Sequence, residues 1–328
     1  MRTRAAAALL LIATIVAACG AGGPEAGPGV VLRYSYQAGD TLSYDLDAAL
    51  DIDMTASGNT TAAAGMDSSM VMTVTARLDL GLAPGPTPDT IEITVAEELL
   101  EGGARMTSGG RAILIPLDDL AAEMDQEIVI VVDPQGRPVS ATVGGMALPA
   151  QLLSGASTSG GRLTPQQFGP EFPQTGLAVG AEWETEQSSE VLGLAFRQQG
   201  KHRVVAQEEL AGRLVYRIDS RITTAAIHTD LAALMDAIRQ APELLAGADP
   251  ADLEAGMAQF GSMGVTVDIT VEESTATMPT WFDPAAGLVV RSVTETPMNM
   301  TMAMRGIPGG DVELVMETTT EQRLTLAA

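Results

Sequence analysis

The chain has 328 residues, with 18 Lys plus Arg against 42 Asp plus Glu, a net charge of −24 and 46% hydrophobic residues. A surface this acidic repels phosphate backbones and excludes nucleic acid as a partner, and the apolar fraction excludes a disordered chain. The single cysteine excludes an intrachain disulfide, and 3% aromatic residues beside 17 methionines call for a core of Val, Ile, Leu, Ala and Met.

The chain opens with Arg2 and Arg4, an apolar stretch from Ala5 to Val16, and the small residues Ala17 and Ala18. This is the pattern of a secretory signal peptide over residues 1–18. Its apolar part is too short for a spanning helix, which needs roughly 20 residues. Val16-Ala17-Ala18-Cys19 resembles the bacterial lipobox, and the resemblance implies cleavage before Cys19 and lipidation of its thiol. Two or more acyl chains anchor stably, at about 0.8 kcal/mol per buried methylene. The expected location is therefore the cell membrane, on the extracytoplasmic side of the envelope. Residues 19–29, rich in Gly and Pro, read as a flexible tether.

From residue 30 the hydrophobic pattern alternates with period two, the mark of strands with one face buried. Strands are expected at 31–36, 41–53, 69–80, 90–99, 128–132 and 139–143 in a first β-rich half, residues 30–153. Residues 154–175, rich in Gly, Ser, Thr and Pro, read as a linker or long loop. A second half, 176–328, offers strands at 182–187, 194–207, 214–224, 265–272, 275–282, 288–296, 298–304 and 312–326. Helical spacing is confined to 117–124, 229–240 and 250–260, the last two in the second half. Asp249 and Pro250 suit a helix cap and first position. The two halves share an opening, Gln37-Ala38-Gly39-Asp40-Thr41-Leu42 beside Leu177-Ala178-Val179-Gly180-Ala181-Glu182-Trp183. They also share a closing turn, Asp133-Pro134-Gln135-Gly136 beside Asp283-Pro284-Ala285-Ala286-Gly287. The expected fold is mainly β with a few helices: a duplicated, curved antiparallel sheet or half-barrel with helices covering one face.

Side chains suited to catalysis are sparse. The two histidines, His202 and His228, have no metal-binding spacing, and no nucleophile elbow, phosphate loop or calcium loop occurs. Acidic pairs such as Glu97-Glu98 and Glu208-Glu209 place their members on opposite faces of a strand and read as solvated charge. Neither a catalytic residue, nor a cofactor, nor a metal ligand is expected. Met298, Met300, Met302 and Met304 stand at every second position, so a strand would set four thioethers on one face, with Met70 and Met72 a shorter version. The stripe reads as ordinary core, as the wall of an apolar cavity, or, since thioethers are soft ligands, as a Cu(I) site.

Leu32-Arg33-Tyr34-x-Tyr36 with Gly39-Asp40, Gly180-x-x-Trp183, the Asp283-to-Gly287 turn and the box at Cys19 resemble uncharacterised bacterial lipoproteins of a domain-of-unknown-function family. More distantly the chain is similar to half-barrel carriers of the LolA and LppX kind. That resemblance implies a curved sheet around helices, an apolar cavity, lipid binding and no catalysis. The expected function is non-catalytic binding of a hydrophobic small molecule or lipid by a membrane-tethered protein. The alternative is an envelope structural or protein-interaction lipoprotein without a small ligand.

Overall fold

A computed structural model of the protein describes residues 29–58, 67–87, 89–116, 127–133, 138–143, 145–148, 169–191, 194–230, 233, 264–306 and 310–327. Fifteen strands run through them: β1 (Thr41–Gly58), β2 (Ser68–Pro84), β3 (Ile91–Ser108), β4 (Arg111–Pro116), β5 (Ile128–Val132), β6 (Pro138–Val143) and β7 (Met146–Leu148) in the first half. The second half holds β8 (Glu182–Val191), β9 (Leu194–Leu210), β10 (Arg213–Thr224), β11 (Ile227–Asp230), β12 (Thr266–Val271), β13 (Ser274–Asp283), β14 (Leu288–Arg305) and β15 (Val312–Leu326). They join one antiparallel sheet in which twelve follow the order β7-β6-β5-β3-β2-β1-β15-β14-β13-β10-β9-β8, while β4 pairs with β3, β12 with β14 and β11 with β12. Alternation in sequence is what permits this, since each strand buries one row of side chains and wets the other.

The expected layer of helices over one face is overturned, because every element of the described residues is a strand. Thr229 and Asp230, expected to open a helix, instead continue the alternation of Ile227 and His228 and pair with Ile269 and Asp268 of β12. Asp230 then accepts the N–H of Ala233 at 2.7 Å, and Ala233 is in helical conformation. The apolar spacing that suggested helices at 117–124 and 250–260, and the rest of 229–240, falls outside the described residues. So do the signal peptide, Cys19, the tether up to residue 28 and most of the linker.

Other boundaries differ for local reasons. The expected strand at 31–36 forms only a bridge, Val30 to Leu177, and then lies as a cover in which Leu32 and Tyr34 are buried. Two expected strands, 288–296 and 298–304, are one, β14, running straight through Pro297. Proline lacks a donor, and it is tolerated here because β13 pairs with β14 only up to Glu295 and β12 only from Met300, which leaves that edge free at 297.

The strand order repeats. The first half lays down its last three strands on the path and then its first three, β7-β6-β5-β3-β2-β1, and the second does the same, β15-β14-β13-β10-β9-β8. The two openings singled out in the sequence make matching hydrogen bonds. Gly39 N–H donates to Leu82 O at 2.7 Å and Leu82 N–H to Asp40 O at 3.1 Å; Gly180 N–H donates to Val204 O at 2.7 Å and Val204 N–H to Ala181 O at 2.9 Å. The halves meet where β1 pairs with β15 over fifteen residues, from Tyr44 opposite Leu326 to Gly58 opposite Val312.

Most of the core lies on one face of the sheet, with a smaller buried cluster of Val215, Leu288 and Val290 beside it. In the first half it is a continuous cluster around Leu46, Leu78, Leu80, Val95 and Ile130. In the second it centres on Phe282, Ile218, Val204 and Phe172. Tyr36 packs against both, and the buried Tyr44 hydroxyl donates to Val289 O at 2.8 Å, fixing β1 to β14 across β15. The closing turn holds the cover in place. Asp283 accepts the N–H groups of Ala285 and Ala286 at 2.9 and 3.0 Å and Arg213 Nη1 at 3.0 Å, while Ser35 N–H donates to Gly287 O at 2.9 Å. Gly287 has φ +66°, and a Cβ there would overlap Ser35 and Arg33 O, so both the turn and the docked cover require glycine.

Candidate functional site

Directly opposed residues of antiparallel neighbours point to the same face. The register therefore decides where the methionine stripe of β14 lies. Met300 opposes Met316 of β15, which opposes Met54 of β1. Met298 leads through Thr318 and Ile52 to Met70 of β2 and Met106 of β3. With Met72, Met302 and Met304, nine methionines fall on the face that carries the core, and all nine are half-buried. On one side the band continues into Val267, Ile269 and Val271 of β12, and on the other into Ile113 and Ile115 of β4. Seven strands at about 4.8 Å spacing make it about 29 Å wide. The reverse face at the same level is charged and exposed, with Asp51, Asp53, Glu313 and Glu317.

Sequence singled out Met298, Met300, Met302, Met304, Met70 and Met72, and the register brings all six to one surface. It missed Met54, Met106 and Met316, which stand singly in their strands and join the group only through pairing. No imidazole joins the thioethers. His228 is exposed, on the reverse face beside Thr270, and His202 is buried elsewhere with both ring nitrogens engaged. This donor set does not favour the copper reading.

Glu97 was read as solvated charge together with Glu98, and the structure corrects this for one member of the pair. Glu98 is exposed opposite Arg77, whereas Glu97 opposes the fully buried Leu78 on the core face, between Val95 and the half-buried Leu99. Its Oε1 is inaccessible and has no hydrogen-bond partner among the described residues. Burial raises its pKa above the ordinary value. The signal was available in sequence: Val95, Glu97 and Leu99 share one parity, so a carboxylate interrupts an apolar row. Beside it, β5 pairs with β3 only up to Val95 and β4 only from Gly103, leaving the margin of β3 open to described strands over residues 96–102.

His202 is a buried ionisable group of the second half. It is 4% exposed and stacks on Trp183 at 5.0 Å. Its Nδ1 lies 2.8 Å from Ser220 Oγ and its Nε2 lies 3.0 Å from Thr185 Oγ1, which ties β9 to both neighbours. Gly200 leaves room for the ring, since a Cβ there would overlap Nε2 and Thr185 Oγ1. Burial without a facing carboxylate pushes its pKa down to about 4. Ser220 is 2% exposed, so this serine and histidine pair faces packing partners and no open cleft. A concavity of about 1040 Å³ lies on the reverse face of β15, β1, β2 and β3, lined by Asp47, Glu101, Arg105, Glu321 and Arg323 together with apolar Val71, Leu114 and Val293. Among the described residues no group of three or more His, Cys, Asp or Glu is placed to hold a metal ion.

No protein-family model and no curated protein matches the chain. Among solved structures it is similar to lipovitellin, from a study of lipid-protein interactions in that protein. The TM-score is 0.41 at 12% identity, over 90% of this chain and 26% of that one, so the chain spans about a quarter of lipovitellin's length. An outer membrane channel from Pseudomonas putida F1 gives a TM-score of 0.16 at 8% identity, over 93% of this chain and 99% of that one. At these values the likenesses carry no functional argument, and the resemblance to LolA and LppX carriers draws no support from them.

Proposed function

We propose that the protein binds a hydrophobic molecule or lipid on the methionine-lined face of its sheet, without catalysis, while held to the extracytoplasmic side of a membrane through Cys19. The observation that carries the reading is the band itself: nine half-buried thioethers in register across β14, β15, β1, β2 and β3. Methionine is unbranched and polarizable, so such a wall adapts to ligands of irregular shape. Capture would draw on about 25 cal/mol for each Å² of apolar surface removed from water. The interaction-protein reading is weaker, because the edge strand β8 carries Glu182, Glu184 and Glu186, and charge of this kind discourages pairing with a further strand.

The test is mass spectrometry of the organic extract of purified protein. Near-stoichiometric lipid is expected from the wild type, and loss of it from a Met300→Asp, Met302→Asp variant that still unfolds cooperatively on heating. An empty wild type, or full lipid retention by the variant, refutes the reading. Anchoring is tested separately with Cys19→Ser, which should move the protein from the membrane to the soluble fraction.

A further inference from the structure

We infer that the concavity on the reverse face docks an extended segment of a protein partner, one that presents basic side chains at one end and bulky apolar side chains at the other. The register shows how the hollow is built. Across β15, β1, β2 and β3, Glu321, Ala49, Thr73 and Gly103 lie opposite one another, so three small side chains in succession form a floor. The rows on either side are taller: Arg323, Asp47 and Glu101 on one flank, Val71, Arg105 and Leu114 on the other. A bulge in β3, where Leu100 is passed over between Leu99 opposite Ala76 and Glu101 opposite Thr75, bends that strand beside the floor. The result is a hollow of about 1040 Å³. From β15 to β4 it runs four strand spacings, about 19 Å, between flanks about 13 Å apart.

Its two ends differ in chemistry. At β15, Glu321 directly opposes Glu295 of β14, and the next residues in that row are Ala49 and Thr277, so no cation faces either carboxylate across the ladder. Like charges so placed destabilise a sheet. Arg323 stands opposite Asp47 instead. At the other end Val71 and Leu114 are 46% and 68% exposed on either side of Arg105, whose methylene stem continues the apolar strip. An apolar strip rimmed by charge marks an interaction surface. Charge complementarity selects the occupant: a cation relieves the Glu295 and Glu321 pair, and the net charge of −24 steers basic partners in while repelling acidic ones. From Glu321 to Leu114 is about 20 Å, which an extended chain covers in about six residues, with every second side chain facing the floor.

The test is fluorescence anisotropy of the purified full chain at pH 7 with the labelled, C-terminally amidated peptide Lys-Ser-Lys-Ser-Leu-Ser-Leu, whose lysines and leucines share one face when extended. Saturable binding is expected, and Glu-Ser-Glu-Ser-Leu-Ser-Leu and Lys-Ser-Lys-Ser-Ser-Ser-Ser should each bind at least about tenfold more weakly. Thr73 and Glu321 are exposed, so changing them leaves the fold intact. Thr73→Trp, which fills the floor, and Glu321→Lys should each weaken binding at least about fivefold, while Glu313→Lys, the same charge change farther along β15, should alter it less than twofold. Excess tetradecanol, a probe of the methionine face, should leave the peptide in place. Displacement by tetradecanol would put the peptide on that other face and overturn the inference without touching the proposed lipid site. No binding of the first peptide, equal binding of all three, or equal losses in Glu313→Lys and Glu321→Lys, the mark of general attraction to an acidic protein, also overturns it.

Discussion

Lowering the pH from 7 to 5 should destabilise the fold through His202. In the unfolded chain this imidazole takes a proton near pH 6.5, whereas in the fold, 4% exposed between Trp183, Thr185 and Ser220, it does so only near 4. Between these values the unfolded state binds more protons, so stability falls as the pH falls. The loss is about 2 kcal/mol at pH 5 and about 3 kcal/mol by pH 4, where it begins to level off. Carboxylates titrate in the same range, and the raised pKa of Glu97 acts with the opposite sign, stabilising the fold on protonation and losing that contribution as pH rises through it. The assay is therefore a difference. Urea unfolding of the wild type and of His202→Gln, each at pH 7 and pH 5, should show the variant losing about 2 kcal/mol less between the two pH values. With two histidines in the chain, the His202 resonance is readily assigned by NMR in the same variant. A folded-state midpoint above pH 6, or equal losses in both proteins, refutes the argument that burial without a counter-charge governs this side chain.

Two further predictions concern the closing turn. Burial pushes the Asp283 carboxyl up, but hydrogen bonds from Ala286, Arg213 and Ala285, together with the charge of Arg213, outweigh it and hold the pKa below the ordinary value. The stability it contributes is thus present above the unfolded-state pKa near 3.9 and lost as the pH falls through the folded one. Asp283→Ala should lower unfolding free energy at pH 7 by about 2 kcal/mol in urea titrations, and an unchanged midpoint denaturant concentration would show the turn to be dispensable. Gly287→Ala should cost more than about 1 kcal/mol, because it adds a Cβ at φ +66° against Ser35 and Arg33. It should also speed proteolysis within residues 29–36, whose docking depends on that turn; unchanged cleavage would show the cover to be held by its own apolar contacts.

How much of this was legible in sequence varies by element. Strand 312–326 lies where alternation put it, because it buries one row and wets most of the other, and a flat surface of that kind has period two; strand 128–132 was legible instead as a short apolar run, four of whose five residues are buried. Strand β4 was missed: Ile113 and Leu114 are exposed, so it lacks the apolar contrast that alternation requires. Thr229 and Asp230 were drawn into a helix by the apolar spacing after them, and pairing with β12 decided otherwise. The matched openings at Gly39 and Gly180 could be read because each must return its chain to the sheet with one set of backbone donors.

Sequence by itself determined the two faces: which residues of each strand are apolar, that Met298, Met300, Met302 and Met304 share a side, and that Glu97 falls among apolar residues of like parity. Tertiary structure alone decided the company they keep. Pairing between strands as distant as β1 and β15 sets the register, and the register places Met54, Met106 and Met316 beside the β14 stripe. That information is nonlocal: side-chain parity is fixed along one strand by its own backbone, whereas the neighbour across the ladder is fixed by pairing with another strand, and for Met54 opposite Met316 that partner lies more than two hundred positions away.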